Sequence, residues 1–129
     1  MKKVWINGTF DILHIGHIEL FKYASTFGII KVGIDSDARV KILKDSSRPF
    51  NNQDNRKTFL LSLKYINEVV IFNTDKELEV SIQAYNPDYL IIGDDYKDKH
   101  VIGGEYAKEI IFYKKIPNIS TTKILSYGI

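Results

Sequence analysis

The chain has 129 residues, 44% of them hydrophobic, which is enough for one core, so we expect a single domain over residues 1–129. Its 18 basic and 16 acidic side chains nearly balance without long runs of like charge, so no nucleic-acid partner is expected. The absence of cysteine excludes disulfide bonds and cysteine-ligated metals, and it predicts a reducing compartment, by default the cytoplasm. No stretch approaches the ~20 apolar residues of a membrane helix, and we expect neither a signal peptide nor a membrane partner.

The first part of the chain has the pattern of a strand, a loop, a helix and a second strand. An apolar, β-prone run at 4–6 ends at Asn7 and Gly8, and apolar residues then recur at helical spacing from 15 to 27. The run 29–34 is again apolar and rich in β-branched residues. This order predicts a strand-helix-strand unit whose two strands are parallel.

Residues 35–56 form a long polar stretch. They include basic residues before Ser46 and have little apolar content after Leu43. A polar loop of this length within a compact domain is typically functional. We therefore predict a lid beside a ligand site.

The remaining elements alternate in the same way. Apolar runs at 69–72, 89–92 and 110–113 predict three further strands, and residues 55–65 and 77–85 have helical spacing. The alternation predicts an α/β fold, a single Rossmann-like, doubly wound domain with a five-stranded parallel sheet. Ligands of such domains bind beyond the carboxyl ends of the strands, where the strand order reverses.

The residues that follow the first predicted strand have the features of a phosphate-binding turn. Gly8 allows a tight turn and close approach of a ligand, the helix start offers free N–H groups, and Gly16 leaves space above the first helical turn. His14 and His17 are three residues apart, so they share a face and can donate to one polyphosphate. Taken alone, the two histidines are also compatible with a metal pair or with ordinary surface residues.

Three neighbours in this segment have alternative roles. Thr9 can bond a phosphate through its hydroxyl or its backbone. Asp11 is either a helix-capping carboxylate or a functional one. Phe10 is expected in the core.

These residues carry a family resemblance. Gly-Thr-Phe-Asp at 8–11, followed by His-Ile-Gly-His at 14–17, resembles the signature of the cytidylyltransferase-like nucleotidyltransferases. A second element of that family, Ile-Ser-Thr-Thr-Lys-Ile at 119–124, precedes a predicted last helix. The resemblance covers nearly the whole chain. It implies an enzyme that joins a nucleoside monophosphate, taken from a nucleoside triphosphate, to a phosphorylated small molecule with release of pyrophosphate.

The resemblance also implies roles for particular residues. The implied catalytic residues are His14, His17, Lys44 and Thr121. The implied nucleotide-binding residues are Gly8, Thr9, Phe10, Asp11, Gly16, Lys41, Arg56, Gly93, Asp94, Ser120 and Thr122. His17 is expected nearest the α-phosphate, and Lys44 is expected to bridge the two substrates. Mg²⁺ is expected with the triphosphate, the protein itself is expected to supply no metal ligands, and a homodimer is expected.

Several of these assignments have structural alternatives. Lys41 is the alternative bridging lysine, and either lysine could be an ordinary solvated charge. Arg56 either reaches a phosphate or pairs with a carboxylate. Asp94 either faces the base and ribose or forms a turn. The hydroxyls of residues 120–122 either cap a helix or hold an anion.

Two subfamilies compete for the substrates. Residues 41–49, 95–97 and 102–104 resemble the adenylyltransferases that activate heptose 1-phosphate, whereas Thr9 and residues 93–95 are closer to glycerol-3-phosphate cytidylyltransferase. Lys115 stands where the cytidylyltransferases carry an arginine, so the sequence favours ATP and a sugar 1-phosphate over CTP and glycerol 3-phosphate. A non-catalytic nucleotide-binding module, which would not need the lysines, is an alternative of another class.

Overall fold

The structure, a computed structural model, describes residues 1–114. Lys115, Ser120, Thr121, Thr122 and the predicted last helix lie outside the described residues.

Five strands of the described part of the chain form one parallel sheet, as the sequence predicted. They are β1 (Lys3–Gly8), β2 (Ile29–Asp35), β3 (Glu68–Phe72), β4 (Tyr89–Gly93) and β5 (Glu109–Tyr113). Their order across the sheet is β3-β2-β1-β4-β5, and all neighbours are parallel. The chain therefore winds outward in one direction from β1, and then in the other direction through β4 and β5. This reversal confirms the predicted doubly wound α/β fold.

Within residues 1–114, four helices cover the sheet: α1 (Ile15–Ser25), α2 (Asp37–Leu43), α3 (Gln53–Leu61) and α4 (Asp75–Tyr85). Single 3-10 turns follow at Asp94–Tyr96 and Gly104–Tyr106. In the described part of the chain, no helix is both long and apolar enough to cross a membrane.

The polar stretch 35–56 is not one continuous loop, so that prediction was wrong. The hydroxyl of Ser36 accepts a hydrogen bond from the Arg39 N–H (3.1 Å) and starts α2, and the side chain of Asn52 starts α3 by accepting from the Asn55 N–H (2.8 Å). Apolar periodicity did not reveal α2 because Ile42, one of its few large apolar residues, is 84% exposed. The cap residues were the available signal. The loop that remains, residues 44–52, joins the two helices.

The core lies on both faces of the sheet. Trp5 and Leu90 pack with α4 on one face, whereas Ile6 and Ile91 pack with α1 on the other, as the two-residue period of a strand requires. A Cβ atom at Gly33 would lie 2.5 Å from Cζ2 of Trp5, so this glycine makes room for the indole. Each large apolar side chain buried in this way contributes about 1.5–3 kcal/mol.

Candidate active site

The two central strands separate at their carboxyl ends. β1 pairs with β2 along its whole length, but its pairing with β4 stops at Trp5 and Leu90. The ends of β1 and β4 consequently leave a crevice where the strand order reverses. A cavity of about 520 Å³ opens there, at the position where ligands of doubly wound domains bind.

The two histidines of the first helical turn hold each other in place. His14 is the N-cap of α1, and its Nδ1 accepts from the Gly16 N–H at 3.1 Å. The Nδ1 of His17 accepts from the N–H of His14 at 3.2 Å, and the two rings stack with centroids 3.9 Å apart. An Nδ1 that accepts leaves the proton of a neutral imidazole on Nε2. Both rings thus keep an Nε2–H donor, and His17 lines the cavity.

Gly16 is part of this arrangement. A Cβ atom there would lie 2.9 Å from Cε1 of His14, which is closer than real Cβ contacts. The glycine therefore leaves room for the imidazole that caps the helix. Burial lowers the pKa of His14, which favours the neutral ring that its accepting Nδ1 requires.

Phe10 links the turn to the core. Its backbone has a positive φ of 52°, and its ring is buried against Phe21 and lies edge-on to His17, with centroids 5.2 Å apart in both cases. A Cβ atom at Gly8 would approach Cε2 of Phe10 to 3.1 Å. The structure thus places Phe10 in the core, as the sequence predicted, and also beside the cavity.

Asp11 does not cap α1, because His14 does. Instead, its buried carboxylate accepts from the backbone N–H groups of Phe50 (2.5 Å) and Asn51 (2.9 Å) and from the Asn51 side chain (3.1 Å). The helix-capping alternative was wrong for this reason. Asp11 joins the turn after β1 to the loop 44–52.

Arg56 is fully buried, and its position supports pairing rather than contact with phosphate. It donates to the carbonyls of Thr9 (3.0 Å), Asp35 (2.8 Å) and Asn51 (2.9 Å) and to the carboxylate of Asp37 (2.9 Å). It is not part of the cavity wall that residues 1–114 form. A buried guanidinium needs such partners, so the expectation that Arg56 binds the nucleotide is corrected: the side chain ties together the segments after β1 and β2 and the end of the loop 44–52.

The other predicted residues divide between the cavity and the surface. Lys44, Thr9 and Gly93 line the cavity, and the hydroxyl of Thr9 donates to Oδ2 of Asp35 at 2.9 Å. Lys41 donates to the carbonyl of Arg48 at 3.3 Å, outside the wall traced by the described residues. Asp94 is exposed in a 3-10 turn and likewise lies off that wall, as its turn-forming alternative predicts.

A model of the family described as cytidylyltransferase-like matches residues 5–126. The chain belongs to the cytidylyltransferase-like family. The predicted membership of this family is thereby confirmed.

Similar proteins agree with this family. The chain is 43% identical over 123 residues to the bifunctional protein HldE of a Nitratiruptor species, covering 95% of this chain and 26% of that protein. It is also 43% identical over 125 residues to the bifunctional protein HldE of Helicobacter hepaticus, covering 96% and 26%. The chain thus spans about a quarter of the length of these relatives. In fold it is similar to a lipopolysaccharide core biosynthesis protein of Thermoplasma volcanium, with a TM-score of 0.69, 20% identity, and coverage of 88% and 98%.

The described residues of this cytidylyltransferase-like chain offer no cluster of three or more His, Asp or Glu for a metal ion. The cavity carboxylates Asp11 and Asp35 already accept hydrogen bonds from protein groups. Mg²⁺ commonly keeps several waters and binds through substrate phosphates. The donor set therefore fits Mg²⁺ carried mainly by a triphosphate.

Sequence reasoning left out several polar side chains that line the cavity, namely Asn7, Asp35, Arg39, Tyr96 and His100. Arg39 stands four residues after Asp35 and pairs with it, a spacing that becomes informative once α2 is recognised. Tyr96 and His100 belong to the connection between β4 and β5. Tyr96 lies in residues 95–97, which carry a resemblance to heptose 1-phosphate adenylyltransferases but gave its side chain no role, and no motif included His100.

Proposed function

We propose that this chain transfers the adenylyl group of ATP to the phosphate of a sugar 1-phosphate, specifically a heptose 1-phosphate, to form an ADP-sugar and pyrophosphate. The observation that carries the proposal is the stacked histidine pair at the start of α1, of which His17 lines the cavity. The choice of ATP and a sugar phosphate is supported by the resemblance of residues 41–49 to heptose 1-phosphate adenylyltransferases and by the similarity to HldE proteins.

The reaction requires positioned charge rather than a covalent intermediate. An oxygen of the acceptor phosphate, already ionised near neutral pH, attacks the α-phosphorus, and the bond to the bridging oxygen of pyrophosphate breaks. Negative charge moves onto the pyrophosphate, and preorganised cations and N–H donors stabilise it. Mg²⁺ bound to the triphosphate would add neutralising charge.

We assign these tasks to residues that line the cavity and to His14 and Gly16, which adjoin His17 at the start of α1 outside the described cavity wall. His17 donates through Nε2 to the α-phosphate region, with His14 stacked on it and donating to the same triphosphate. Lys44 neutralises charge between the two substrates. Gly8, Thr9, Gly16 and Gly93 bring backbone close to the nucleotide. The resemblance adds Ser120, Thr121 and Thr122, which lie outside the described residues.

A second candidate uses CTP and glycerol 3-phosphate to give CDP-glycerol. It is supported by the resemblance of Thr9 and residues 93–95 to glycerol-3-phosphate cytidylyltransferase.

We also propose that the protein is a homodimer in the cytoplasm. Phe59 on α3 is substantially exposed, which suits an interface between two copies. Sedimentation equilibrium measures the mass directly, and a monomer at micromolar concentration would contradict the dimer.

Pyrophosphate release tests the function. The assay contains Mg²⁺ with ATP or CTP, combined with heptose 1-phosphate, other sugar 1-phosphates or glycerol 3-phosphate. We expect turnover with ATP and a sugar 1-phosphate, and its loss in His17→Ala. Turnover with CTP and glycerol 3-phosphate would select the second candidate. If no pair of nucleotide and acceptor gives pyrophosphate release while nucleotide binding persists, the result would favour a non-catalytic module.

A further inference from the structure

Arg39 approaches the cavity from α2 in a fixed orientation. Its Nε donates to Oδ1 of Asp35 at 2.8 Å, and Nη2 donates to Oδ1 of Asp75 at 2.7 Å. The guanidinium carbon lies 5.1 Å from the centre of the Phe72 ring. The side chain is 14% exposed. A planar fork held by two carboxylates and an aromatic ring is preorganised to bind a ligand.

Arg39 and His17 reach the cavity from opposite faces of the sheet. Arg39 lies over Phe72, which belongs to the core cluster that contains Trp5. His17 contacts Phe10, which belongs to the core cluster on the other face. A triphosphate bound at His17 therefore leaves the Arg39 side of the cavity to the second substrate.

The chemistry of this side suits hydroxyl groups better than a further phosphate. Asp35 and Asp75 offset the charge of the guanidinium, so it offers hydrogen-bond donors with little net positive charge. Its third nitrogen, Nη1, makes no hydrogen bond to any group within residues 1–114, and Arg39 lines the cavity. The carboxylate of Asp35 lines the same cavity and can accept from a hydroxyl. A donor beside an acceptor matches neighbouring hydroxyls of a sugar.

We propose that Arg39 is an acceptor-binding residue that recognises hydroxyl groups of the polyhydroxylated acceptor. This inference rests on the proposed function for the reaction and adds a residue that binds the acceptor.

The test compares Arg39→Lys and Asp75→Asn with the wild-type protein. Lysine keeps the charge but loses the fork, so the KM for heptose 1-phosphate should rise roughly ten- to hundredfold, as expected for a lost hydrogen bond to a charged group. The KM for ATP should stay within about twofold, because this residue faces the other substrate. Asp75→Asn, which loosens the guanidinium from an exposed position, should raise the acceptor KM severalfold and leave the KM for ATP unchanged.

Glu68→Gln is the matched control. It removes the 3.5 Å ion pair between Lys31 and Glu68, which does not contribute to the described cavity wall, and both kinetic constants should remain at wild-type values. An unchanged acceptor KM in Arg39→Lys would overturn the inference. So would an equal rise in the KM for ATP, because it would put the triphosphate at Arg39. If Arg39→Lys fails to fold, the acceptor KM of Asp75→Asn decides.

Calorimetry separates this inference from the proposed function. Heptose 1-phosphate is titrated into wild type and Arg39→Lys in the presence of a non-hydrolysable ATP analogue. Weaker binding in the variant supports the role of Arg39 even if the wild type shows no turnover, in which case the proposed function alone fails. Equal binding by both proteins overturns the inference whether or not turnover occurs.

Discussion

The turn after β1 and the loop between α2 and α3 both bring a side chain to the cavity, but they are held differently. The turn is fixed by its own neighbours, since His14 bonds Gly16 and His17 bonds His14 within three residues. The loop 44–52 is fixed by Asp11, whose partner Asn51 is 40 residues away, and by Arg56. The turn after β1, the local half of the site, is thus held by neighbours in sequence. The loop 44–52, the long-range half, is held by residues that only the tertiary structure brings near.

The two halves should also differ in their sensitivity to substitution. A helix-capping interaction contributes about 1 kcal/mol. A hydrogen bond to a charged group contributes about 1.5–3 kcal/mol, and removing one partner leaves the others buried and unsatisfied. We therefore expect the largest losses of stability where the long-range bonds converge.

Arg56→Ala tests the long-range half. It leaves three backbone carbonyls and the carboxylate of Asp37 without their donor, so the free energy of unfolding should fall by about 3–5 kcal/mol. Urea denaturation followed by circular dichroism measures the change. Lys76→Ala, an exposed substitution, should stay within about 0.5 kcal/mol of wild type. A loss below about 1 kcal/mol for Arg56→Ala would contradict the role of Arg56 in holding the segments after β1 and β2 and the loop 44–52 together.

His17→Asn tests the local half by separating capping from catalysis. The amide oxygen of asparagine can accept from the His14 N–H in place of Nδ1, but nothing replaces the Nε2 donor. We expect kcat to fall about 10²- to 10³-fold while stability stays near wild type. His17→Ala should lose the same activity and about 1 kcal/mol of stability as well. Retention of more than about a tenth of wild-type kcat in His17→Asn would contradict a donor role.

Lys44→Ala and Lys41→Ala compare two lysines of the same helix end. Lys44 lines the cavity, so its loss should lower kcat/KM roughly ten- to hundredfold. Lys41 bonds a loop carbonyl on the surface, so its loss should change kcat/KM by about twofold or less. Steady-state kinetics with both substrates provides the measurement, and the reverse ranking would transfer the bridging role to Lys41.

The smallest expected effect is a pH dependence of stability from His14. Its pKa is lower in the folded protein, so the unfolded chain takes up the proton first as the pH falls below about 6.5. Stability should therefore be complete above that pH and decline below it until the folded-state pKa is reached. Denaturation at pH 7.5 and 5.5 should show a smaller decline in His14→Asn, which can still cap the helix. An identical decline in both proteins would assign the effect to other groups.

The sequence was sufficient for the sheet and for the shared face of the two histidines. Buried parallel strands are continuous apolar runs, so the strands of the sheet were predicted within a few residues of their observed bounds. The placement of His14 and His17 on one face was predictable from their three-residue spacing, whereas the hydrogen bonds of His17 to His14 and of Gly16 to His14 were not predicted.

The partners of Asp11 and Arg56 and the approach of Arg39 to the cavity were decided by the tertiary structure. Arg56 bonds Thr9 across 47 residues, and Arg39 bonds Asp75 across 36. No periodicity or motif encodes such a pair, because the distance between the two residues depends on the order in which β1, β2 and β3 assemble. A charged residue in a polar stretch has the same appearance in the sequence whether it faces solvent or is buried. The hydrophobic pattern thus determined the sheet. The sheet, once formed, determined that Asp11 and Arg56 are buried and hydrogen-bonded between segments, whereas Arg39 faces the cavity.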